Sequence, residues 1–194
     1  SKVNVYGLIP AIKHARISYS NVDKSDSTEK ELGDDDYELA LRLASAGSSH
    51  RKFMRQIHVH ALVEAPWKWW KEYATYKIGT TENSSSMMHT LTNKTLTEED
   101  FCWENTTKLR LKSMQIANKL IKKYKKTGDY EDWEELMDIM PGGFKYNRYI
   151  STNYEVIANI IKQRKNHKMR EWHQFIDQLE EKLPYFRIIK QASD

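Results

Sequence analysis

A short polar stretch, residues 75–89, holds the side chains of this sequence that are best suited to binding an anion. It reads TYKIGTTENSSSMMH and follows the aromatic segment APWKWWKEY. A bound phosphate needs converging N–H and O–H donors, and a nearby cation strengthens the contact. Within one turn followed by a helix start, the candidate donors are Lys77, Thr80, Thr81, Asn83 and residues 84–86. Serine or threonine before a helix is also a common N-cap, so both interpretations stay open.

A second group of polar side chains interrupts the otherwise apolar segment NYEVIANIIKQR. Asn159 and Arg164 lie five positions apart and are loosely adjacent on a helix, whereas Asn153 lies on another side. All three could line the edge of one groove. A buried asparagine must be hydrogen-bonded, either to the backbone or to a ligand. Because Asn153 directly precedes the helical pattern, we expect it to cap this helix.

Three other groups of residues suggest chemistry less strongly. His58 and His60 alternate on a predicted strand, but no carboxylate or cysteine lies at ligand spacing, so the sequence predicts no metal site. Trp67, Trp69 and Trp70 are expected in the core or at subunit contacts. Basic residues spread around the helix KLRLKSMQIANKLIKKYKK are followed by the acidic DYEDWEELMD. That pattern favours a solvated face over a nucleic-acid surface.

The elements that would position these side chains are a few strands and many helices. Alternation of apolar residues predicts strands in VNVYGLI, RQIHVHALVEA and FKYNRYIST. We expect the acidic residues 34–36 to cap a helix and TLTEEDF to begin one. The predicted helices are PAIKHARISY, YELALRLASAG, PWKWWKEYATY, KLRLKSMQIANKLIKKYKK, DYEDWEELMDIM, NYEVIANIIKQRK and HKMREWHQFIDQLEEKL. Strands so far apart in sequence predict an α+β fold, with a small mixed sheet and a helical layer.

Length and composition favour one globular domain, residues 1–194. Hydrophobic residues make up 39% and charged residues 30% of the chain, an ordinary globular balance. The net charge of +4 permits anionic ligands without demanding nucleic acid. Cys102 is the only cysteine, which excludes an intrachain disulfide and predicts a cytoplasmic protein. Because no apolar run is long enough to span a bilayer, we expect no membrane partner.

An ordered series of segments through most of the chain resembles the flavin-dependent thymidylate synthases. HARISYSN is similar to that family's early Ala-Arg-x-Ser segment, and SHRKF is similar to its Glu-His-x-x-Phe segment. The strand IHVHALVEAP, a tryptophan-bearing helix and YKIGTTENSSS follow the family order of strand, helix and Arg-His-Arg-x-x-Ser-x-Asn-x-x-Ser-x-Arg. MPGGFKYNRYISTNYEVIANIIKQR then resembles the Leu-Pro segment, the strand and the asparagine-containing helix that ends in arginine. The resemblance rests on this order, since no single motif is specific.

Most of the arginines in the family signature are replaced in this chain. The Arg-His-Arg triplet aligns with Thr75, Tyr76 and Lys77, so one positive charge of that triplet remains. Two further arginines and a glutamine of the family align with Met87 or Met88, Met137 and Glu72 respectively. The loss of bidentate guanidinium donors weakens the binding of a dianion unless other groups replace them. The substrate is therefore less well defined by the resemblance than the fold is.

The resemblance implies an enzyme that transfers a one-carbon unit from methylenetetrahydrofolate to C5 of dUMP, using FAD and NADPH. It implies a homotetramer whose sites form between chains. The residues that it assigns to FAD are His50, Lys77, Asn83, Asn153 and Asn159. The residues that it assigns to the pyrimidine pocket are Glu72, Ser85, Ser86 and Arg164. No partnered base marks a catalytic nucleophile in the sequence.

A divergent homologue is the alternative hypothesis. It could be phage-encoded and could act on another pyrimidine nucleotide or have lost methylation. Glu72 favours this alternative, because a carboxylate in place of a neutral glutamine repels phosphate but can accept a hydrogen bond from a base edge. His50 also has an alternative interpretation, as an ordinary histidine in a loop between a helix and a strand.

Overall fold

The computed structural model describes residues 2–194, with Met88 described through its backbone alone. The strands are β1 (Val3–Tyr6), β2 (His58–Pro66), β3 (Thr81–Ser84) and β4 (Lys145–Asn153). The α-helices are α1 (Leu8–His14), α2 (Asp34–Ser45), α3 (Trp67–Tyr73), α4 (Met87–Thr90), α5 (Lys108–Thr127), α6 (Tyr130–Ile139), α7 (Tyr154–Arg164), α8 (Arg170–Lys182) and α9 (Phe186–Ser193). The α+β class predicted from the sequence is confirmed.

The four strands form one sheet in the order β1-β2-β4-β3. β1 pairs antiparallel with β2, and the register places Val3 opposite Ala61 and Tyr6 opposite His58. The sheet was expected to be mixed, but it is antiparallel. Connections as long as the one between β1 and β2 do not fix the relative direction of two strands, so the sequence could not settle this point.

The chain folds into two compact units. The first unit comprises residues up to Leu62, Tyr76–Glu82 and Tyr149–Asp194. Its core is formed by α1, α2, α7, α9 and the 3₁₀ helix Lys52–Gln56, with α9 packed against α2 and α7. Five of its fully buried side chains are Ile12, Ala44, Met54, Tyr154 and Ile188. This core supports the residues that follow α1 and α2.

The second unit comprises Val63–Thr75 and Asn83–Arg148. Its core lies where α5 packs against α6. Ala117, Leu120 and Ile121 are the buried positions of α5, and their spacing of three and four residues places them on one helical face. Leu136 of α6 is fully buried against this core. The lysines of α5 therefore lie off the buried face.

Four local predictions differ from the structure. β1 was expected to run to Ile9, but the chain turns at Gly7 and α1 begins at Leu8. TLTEEDF was expected to begin a helix, but its capping box closes only the 3₁₀ turn Glu98–Asp100. The stretch of residues 75–89 contains an exposed strand, β3, before α4 begins. The sequence interpretation missed α9, because eight residues give too short a pattern to separate from a loop.

Among the described residues, no helix is long and apolar enough to cross a membrane. The same residues contain no group of three or more His, Cys, Asp or Glu side chains that could hold a metal ion. His60 instead lies 3.2 Å from the Ser151 hydroxyl, through its Nε2 atom.

Candidate functional site

A cavity of about 610 Å³ lies in the first unit, beside residues that the sequence singled out. Its walls come from the end of α1, the 3₁₀ helix Ala15–Tyr19, one side of α2 and the segment that follows α2. The polar and basic lining residues are His14, Arg16, Ser18, Asn21, Ser49, His50, Lys52 and Gln56. Among the residues that the structure describes, no aspartate or glutamate lines the cavity. We call this volume the Arg16 cavity.

The HARISYSN and SHRKF segments, which lie far apart in sequence, meet in the Arg16 cavity. Arg16 and Ser18 come from the first segment, while His50 and Lys52 come from the second. The main chain holds the second segment in place, since the His50 amide donates to the Gly47 carbonyl at 3.0 Å. The structure thus places His50 both in a loop and on the wall of this cavity.

A buried carboxylate, Asp36, holds the Arg16 side chain. The Arg16 Nε donates to Asp36 Oδ1 at 2.5 Å, and the Arg16 side chain is 14% exposed while that of Asp36 is fully buried. Asp36 Oδ2 accepts from the Ser25 hydroxyl at 2.5 Å and from the Ser27 hydroxyl at 2.6 Å. With both carboxylate oxygens bonded, the position of the guanidinium group is fixed from behind.

Asp36 is ionised in this network at neutral pH. Burial by itself raises the pKa of a carboxyl group, but the hydrogen bonds from Ser25, Ser27 and Arg16 outweigh it. The pKa of Asp36 therefore lies below its ordinary value of 3.8. The contact between Asp36 and Arg16 is consequently a true ion pair.

The start of α2 confirms that residues 34–36 lie in the first helical turn, where their charges favour the helix dipole, but the side-chain cap comes from another residue. Residues 34–36 were expected to cap this helix, but Asp26 from the preceding loop does so. Asp26 accepts from the Asp35 amide at 2.9 Å and from the Asp36 amide at 3.1 Å. A Cβ atom on Gly33 would lie 2.1 Å from the Asp26 carboxyl carbon, so this cap requires glycine at position 33. Asp36 is thereby left to face inward.

A chain of hydrogen bonds connects two other predicted site residues of the first unit, Asn159 and Arg164. The Gln163 Nε2 donates to Asn159 Oδ1 at 2.9 Å, and the Tyr76 hydroxyl donates to Gln163 Oε1 at 3.1 Å. The Arg164 Nε donates to the Tyr76 hydroxyl at 2.7 Å. The five-residue spacing predicted that Asn159 and Arg164 are loosely adjacent. The chain of hydrogen bonds through Gln163 and Tyr76 connects them.

Aromatic rings also hold the Arg164 guanidinium. Its central carbon lies 4.9 Å from the Trp172 ring centroid and 5.6 Å from that of Tyr76. Tyr76, which the sequence resemblance aligns with a histidine of the family signature, contacts a predicted site residue here. Trp172 was missed, because α8 offers no sequence signal that one of its apolar positions faces an arginine.

The segment comprising residues 77–86 is built differently. Lys77 and residues 81–85 are exposed. Thr80 is half-buried, and its hydroxyl lies 3.1 Å from that of Thr152. The buried Asn153 accepts from the Val156 amide at 3.0 Å and so caps α7, as predicted. A Cβ atom on Gly79 would lie 3.3 Å from Asn153 Nδ2, so the segment backbone runs close to that amide.

The remaining predicted site residues belong to the second unit. Asn83 is exposed in β3, and Glu72 is half-buried in α3. The Ser85 amide and hydroxyl both donate to the Asn147 carbonyl, at 3.0 and 3.3 Å. Ser86 occupies the N-cap position of α4, but its side chain makes no capping hydrogen bond. These serines therefore do not act as side-chain caps.

The tryptophans of α3 lie mainly in the core, as predicted. Trp69 and Trp70 are buried and pack edge-to-face, with ring centroids 4.9 Å apart. Trp69 also stacks on Tyr73 at 5.0 Å. Trp67 is half-buried, and the Lys71 ammonium lies 3.9 Å from its ring centroid.

Solved structures of other proteins share this fold over the whole chain. ThyX from Helicobacter pylori, solved with FAD and dUMP, has a TM-score of 0.82 at 15% identity, with 100% of both chains covered. A second structure of the flavin-dependent thymidylate synthase ThyX from Helicobacter pylori, also with FAD and dUMP, gives 0.80 at 16% identity, with 97% of each chain covered. PolB from Streptomyces cacaoi, a UMP/dUMP methylase bound with 5-Br dUMP, gives 0.69 at 13% identity, covering 100% of this chain and 94% of PolB.

The chain therefore has the fold of the flavin-dependent thymidylate synthases, which confirms the fold expected from the sequence. No protein-family model matches the sequence, and no curated protein matches it. The likeness thus lies in three-dimensional structure far more than in residue identity. This agrees with a resemblance that rests on the order of segments and not on any one motif.

Proposed function

We propose that this chain is a flavin-dependent methylase of a pyrimidine nucleotide, with dUMP as the first candidate substrate. The observation that carries the proposal is the match in fold over 100% of both chains to a ThyX crystallised with FAD and dUMP. The Arg16 cavity supports it, because its volume lies in the range of small-molecule sites and its lining is basic without a carboxylate. We also propose the single domain and the homotetramer that the sequence resemblance implies.

The side chains of the chain fit an anionic flavin cofactor. A phosphate group needs cations and N–H or O–H donors, and the Arg16 cavity offers Arg16, Lys52, Ser18 and Ser49 together with His50. His50, Lys77, Asn83, Asn153 and Asn159 would hold FAD. When bound, FAD would relay hydride from NADPH to the one-carbon unit that methylenetetrahydrofolate donates to C5 of the pyrimidine.

The protein itself would bind and orient the nucleotide and would exclude water from the site. Glu72, Ser85, Ser86 and Arg164 would line the pyrimidine pocket. Arg164 is the best prepared of these residues, since the Tyr76 hydroxyl accepts its Nε hydrogen bond and aromatic rings hold its guanidinium plane. A fixed guanidinium group can donate to a carbonyl oxygen of the base without first losing side-chain entropy.

A second candidate function is methylation of a related nucleotide, such as UMP. Two observations favour it. PolB, which shares the fold, is a UMP/dUMP methylase. Tyr76 and Glu72 also stand where the family has histidine and glutamine, so contacts with sugar or base can differ. A divergent homologue without activity would keep the fold but transfer no carbon.

The direct test is tritium release from dUMP or UMP labelled at C5, with FAD, NADPH and methylenetetrahydrofolate supplied. We expect release that requires all three cofactors. Arg164→Gln should lower kcat/KM by about tenfold or more, since a hydrogen bond from a charged group is worth about 1.5–3 kcal/mol. Arg187→Gln, at an exposed arginine, is the matched control and should leave the rate unchanged. Absence of release from both nucleotides by a protein loaded with FAD would contradict methylation and support the inactive homologue.

A further inference from the structure

We propose that Arg16 is an oxyanion anchor in the Arg16 cavity and that Asp36 is the positioning residue that orients it. The ligand group would be a phosphate of a nucleotide cofactor. This inference deepens the proposed function and rests on it for the identity of the cofactor. The presence of an anion site is argued from the cavity alone.

Charge is the first reason. Arg16, Lys52 and two histidines line the cavity, and no carboxylate of the described part of the chain does. The whole chain carries 31 basic and 27 acidic residues, so a lining with cations alone departs from the average surface. A concave site with one sign of charge attracts the opposite sign, because the low-dielectric walls focus the field.

The state of the Arg16 side chain is the second reason. Its Nε is bound to Asp36, and Asp36 is the only acceptor that its guanidinium contacts in the described part of the chain. A guanidinium group presents five N–H donors in a fixed fork, so both terminal nitrogens keep their donors for a ligand. Because only 14% of the Arg16 side chain is exposed, most of it is already desolvated before a ligand binds.

The depth of the support behind Arg16 is the third reason. Ser25 and Ser27 both donate to Asp36 Oδ2, and the Gly33 amide donates to the Ser27 hydroxyl at 3.0 Å. These hydrogen bonds behind Asp36 distinguish the Arg16–Asp36 contact from an ordinary ion pair at the surface. An arginine fixed in this way can bind a phosphate with its geometry already set, which is what strong bidentate recognition requires.

Hydroxyl and amide groups complete the donor set. Ser18 and Ser49 line the same cavity as Arg16, and so does Asn21. Ser25 and Ser27 are excluded from this role, because their hydroxyls are committed to Asp36. Lys52 is exposed and serves as a charge at the rim. The cavity thus combines a buried cation that Asp36 holds with an exposed one.

The test is calorimetric titration of the full chain with inorganic pyrophosphate, at low salt, because pyrophosphate carries the phosphate chemistry without the rest of a cofactor. We expect binding by the wild type and a loss of about tenfold in affinity in Arg16→Lys, which keeps the charge but removes the fork. Ser27→Ala is the structural control, because it weakens the same buried network without touching the cavity. Its loss of affinity should be clearly smaller than that of Arg16→Lys, because the Ser25 hydroxyl still holds Asp36 and Asp36 still holds Arg16, once folding is confirmed by circular dichroism.

A second pair of variants keeps the test decisive if Arg16→Lys does not fold. Lys52→Gln should weaken pyrophosphate about two- to fivefold, as expected of a rim charge. Lys30→Gln, at an exposed lysine outside the cavity, should not. No pyrophosphate binding by the wild type, or equal losses in Lys52→Gln and Lys30→Gln, would overturn the proposal. Equal losses in Arg16→Lys and Ser27→Ala would likewise overturn it, since they would reveal a purely structural role.

Riboflavin, FMN and FAD separate this proposal from the proposed function. If the cavity binds the phosphate of a flavin, the affinity for FMN and FAD is higher than that for riboflavin. Lys52→Gln then reduces this difference in affinity. If the chain binds pyrophosphate through Lys52 but binds no flavin, the anchor stands and the flavin-dependent function fails. If flavins bind without any preference for phosphate, the anchor fails while the proposed function survives.

Discussion

The Arg16 cavity and the segment of residues 77–86 both offer donors for a phosphate, but they differ in shape, in exposure and in the groups that support the donors. The segment has many hydroxyls, one ammonium and an exposed strand. The cavity has fewer hydroxyls but a concave wall and a guanidinium group fixed by a buried carboxylate. A run of donors along the sequence is therefore a weaker sign of an anion site than one cation supported from behind.

The support beneath each region differs in the same way. Behind Arg16 lies a charged network, in which the carboxylate of Asp36 is fully buried. Behind the segment lie neutral groups, namely the Thr152 hydroxyl and the Asn153 amide. Variants of these supporting residues test this difference, because removing a buried charge costs far more stability than removing a neutral cap.

The largest effect is expected from Asp36→Ala. It leaves the Arg16 guanidinium buried without a counter-charge and two serine hydroxyls without an acceptor, at a cost of about 3–5 kcal/mol in the free energy of unfolding. Denaturant unfolding measures this change. Asp35→Ala, one position earlier and less buried, is the control and should change stability by less than about 1 kcal/mol. Similar values for the two variants would contradict the network.

The same network predicts a dependence on pH. The pKa of Asp36 is lower in the folded chain than its ordinary value of 3.8, so its contribution to stability is present above about pH 4. That contribution is lost as the pH falls through the folded-state pKa. The stability difference between the wild type and Asp36→Asn should therefore shrink below about pH 4. A difference that stays constant down to about pH 2 would show that folding does not lower the pKa of Asp36.

A middle-sized effect is expected from Gly33→Ala. The new Cβ atom must displace the Asp26 carboxylate that caps α2, which should cost about 1–3 kcal/mol. The matched control is Gly142→Ala, because a Cβ atom there meets only the Lys68 Cβ at 3.5 Å, an ordinary contact. Thermal unfolding of both variants checks this. An unchanged melting temperature for Gly33→Ala would exclude Asp26 as the cap.

Asn153→Ala should cost about 0.5–2 kcal/mol, since the Val156 amide at the start of α7 loses its acceptor. Asn159→Ala removes an exposed side chain and should change stability by less than about 0.5 kcal/mol. Both residues are assigned to FAD by the resemblance, so flavin titration of the same variants separates their roles. A large loss of stability in Asn159→Ala would contradict this division.

The smallest effect is expected from Ser86→Ala. The Ser86 side chain makes no capping hydrogen bond, so its loss should change the free energy of unfolding by less than about 0.5 kcal/mol. Thr107→Ala is the comparison, because the Thr107 side chain accepts from the Arg110 amide and its removal should cost about 0.5–2 kcal/mol. Equal losses of unfolding free energy in the two variants would show that Ser86 does act as a cap.

Local pattern predicted much of this fold. The alternation in HVHALVEAP predicted β2, and the spacing of Ala117, Leu120 and Ile121 predicted α5, because each element buries one face. The turn at Gly7, the pairing direction of the sheet and the short helix α9 were missed. The pairing direction depends on how distant segments meet, and α9 is too short to give a recognisable pattern.

The candidate site was less predictable for a related reason. The sequence singled out His50 through its segment. Arg16 and Lys52 became candidate site residues only in the structure, where two segments far apart in sequence line one cavity. Asp36 looked like one of three capping carboxylates, and only tertiary burial distinguishes it from its neighbours. Tyr76 looked like a lost signature residue, yet it bonds Arg164.

The most direct test of the account is a fluorescence titration of FAD with the wild type, Lys52→Gln and Lys77→Gln. The two variants remove one exposed lysine each, from the cavity rim and from the segment respectively. We expect the wild type to bind FAD and Lys52→Gln to weaken FAD binding more than Lys77→Gln does. A wild type that binds no FAD, or a greater loss in Lys77→Gln, would contradict it.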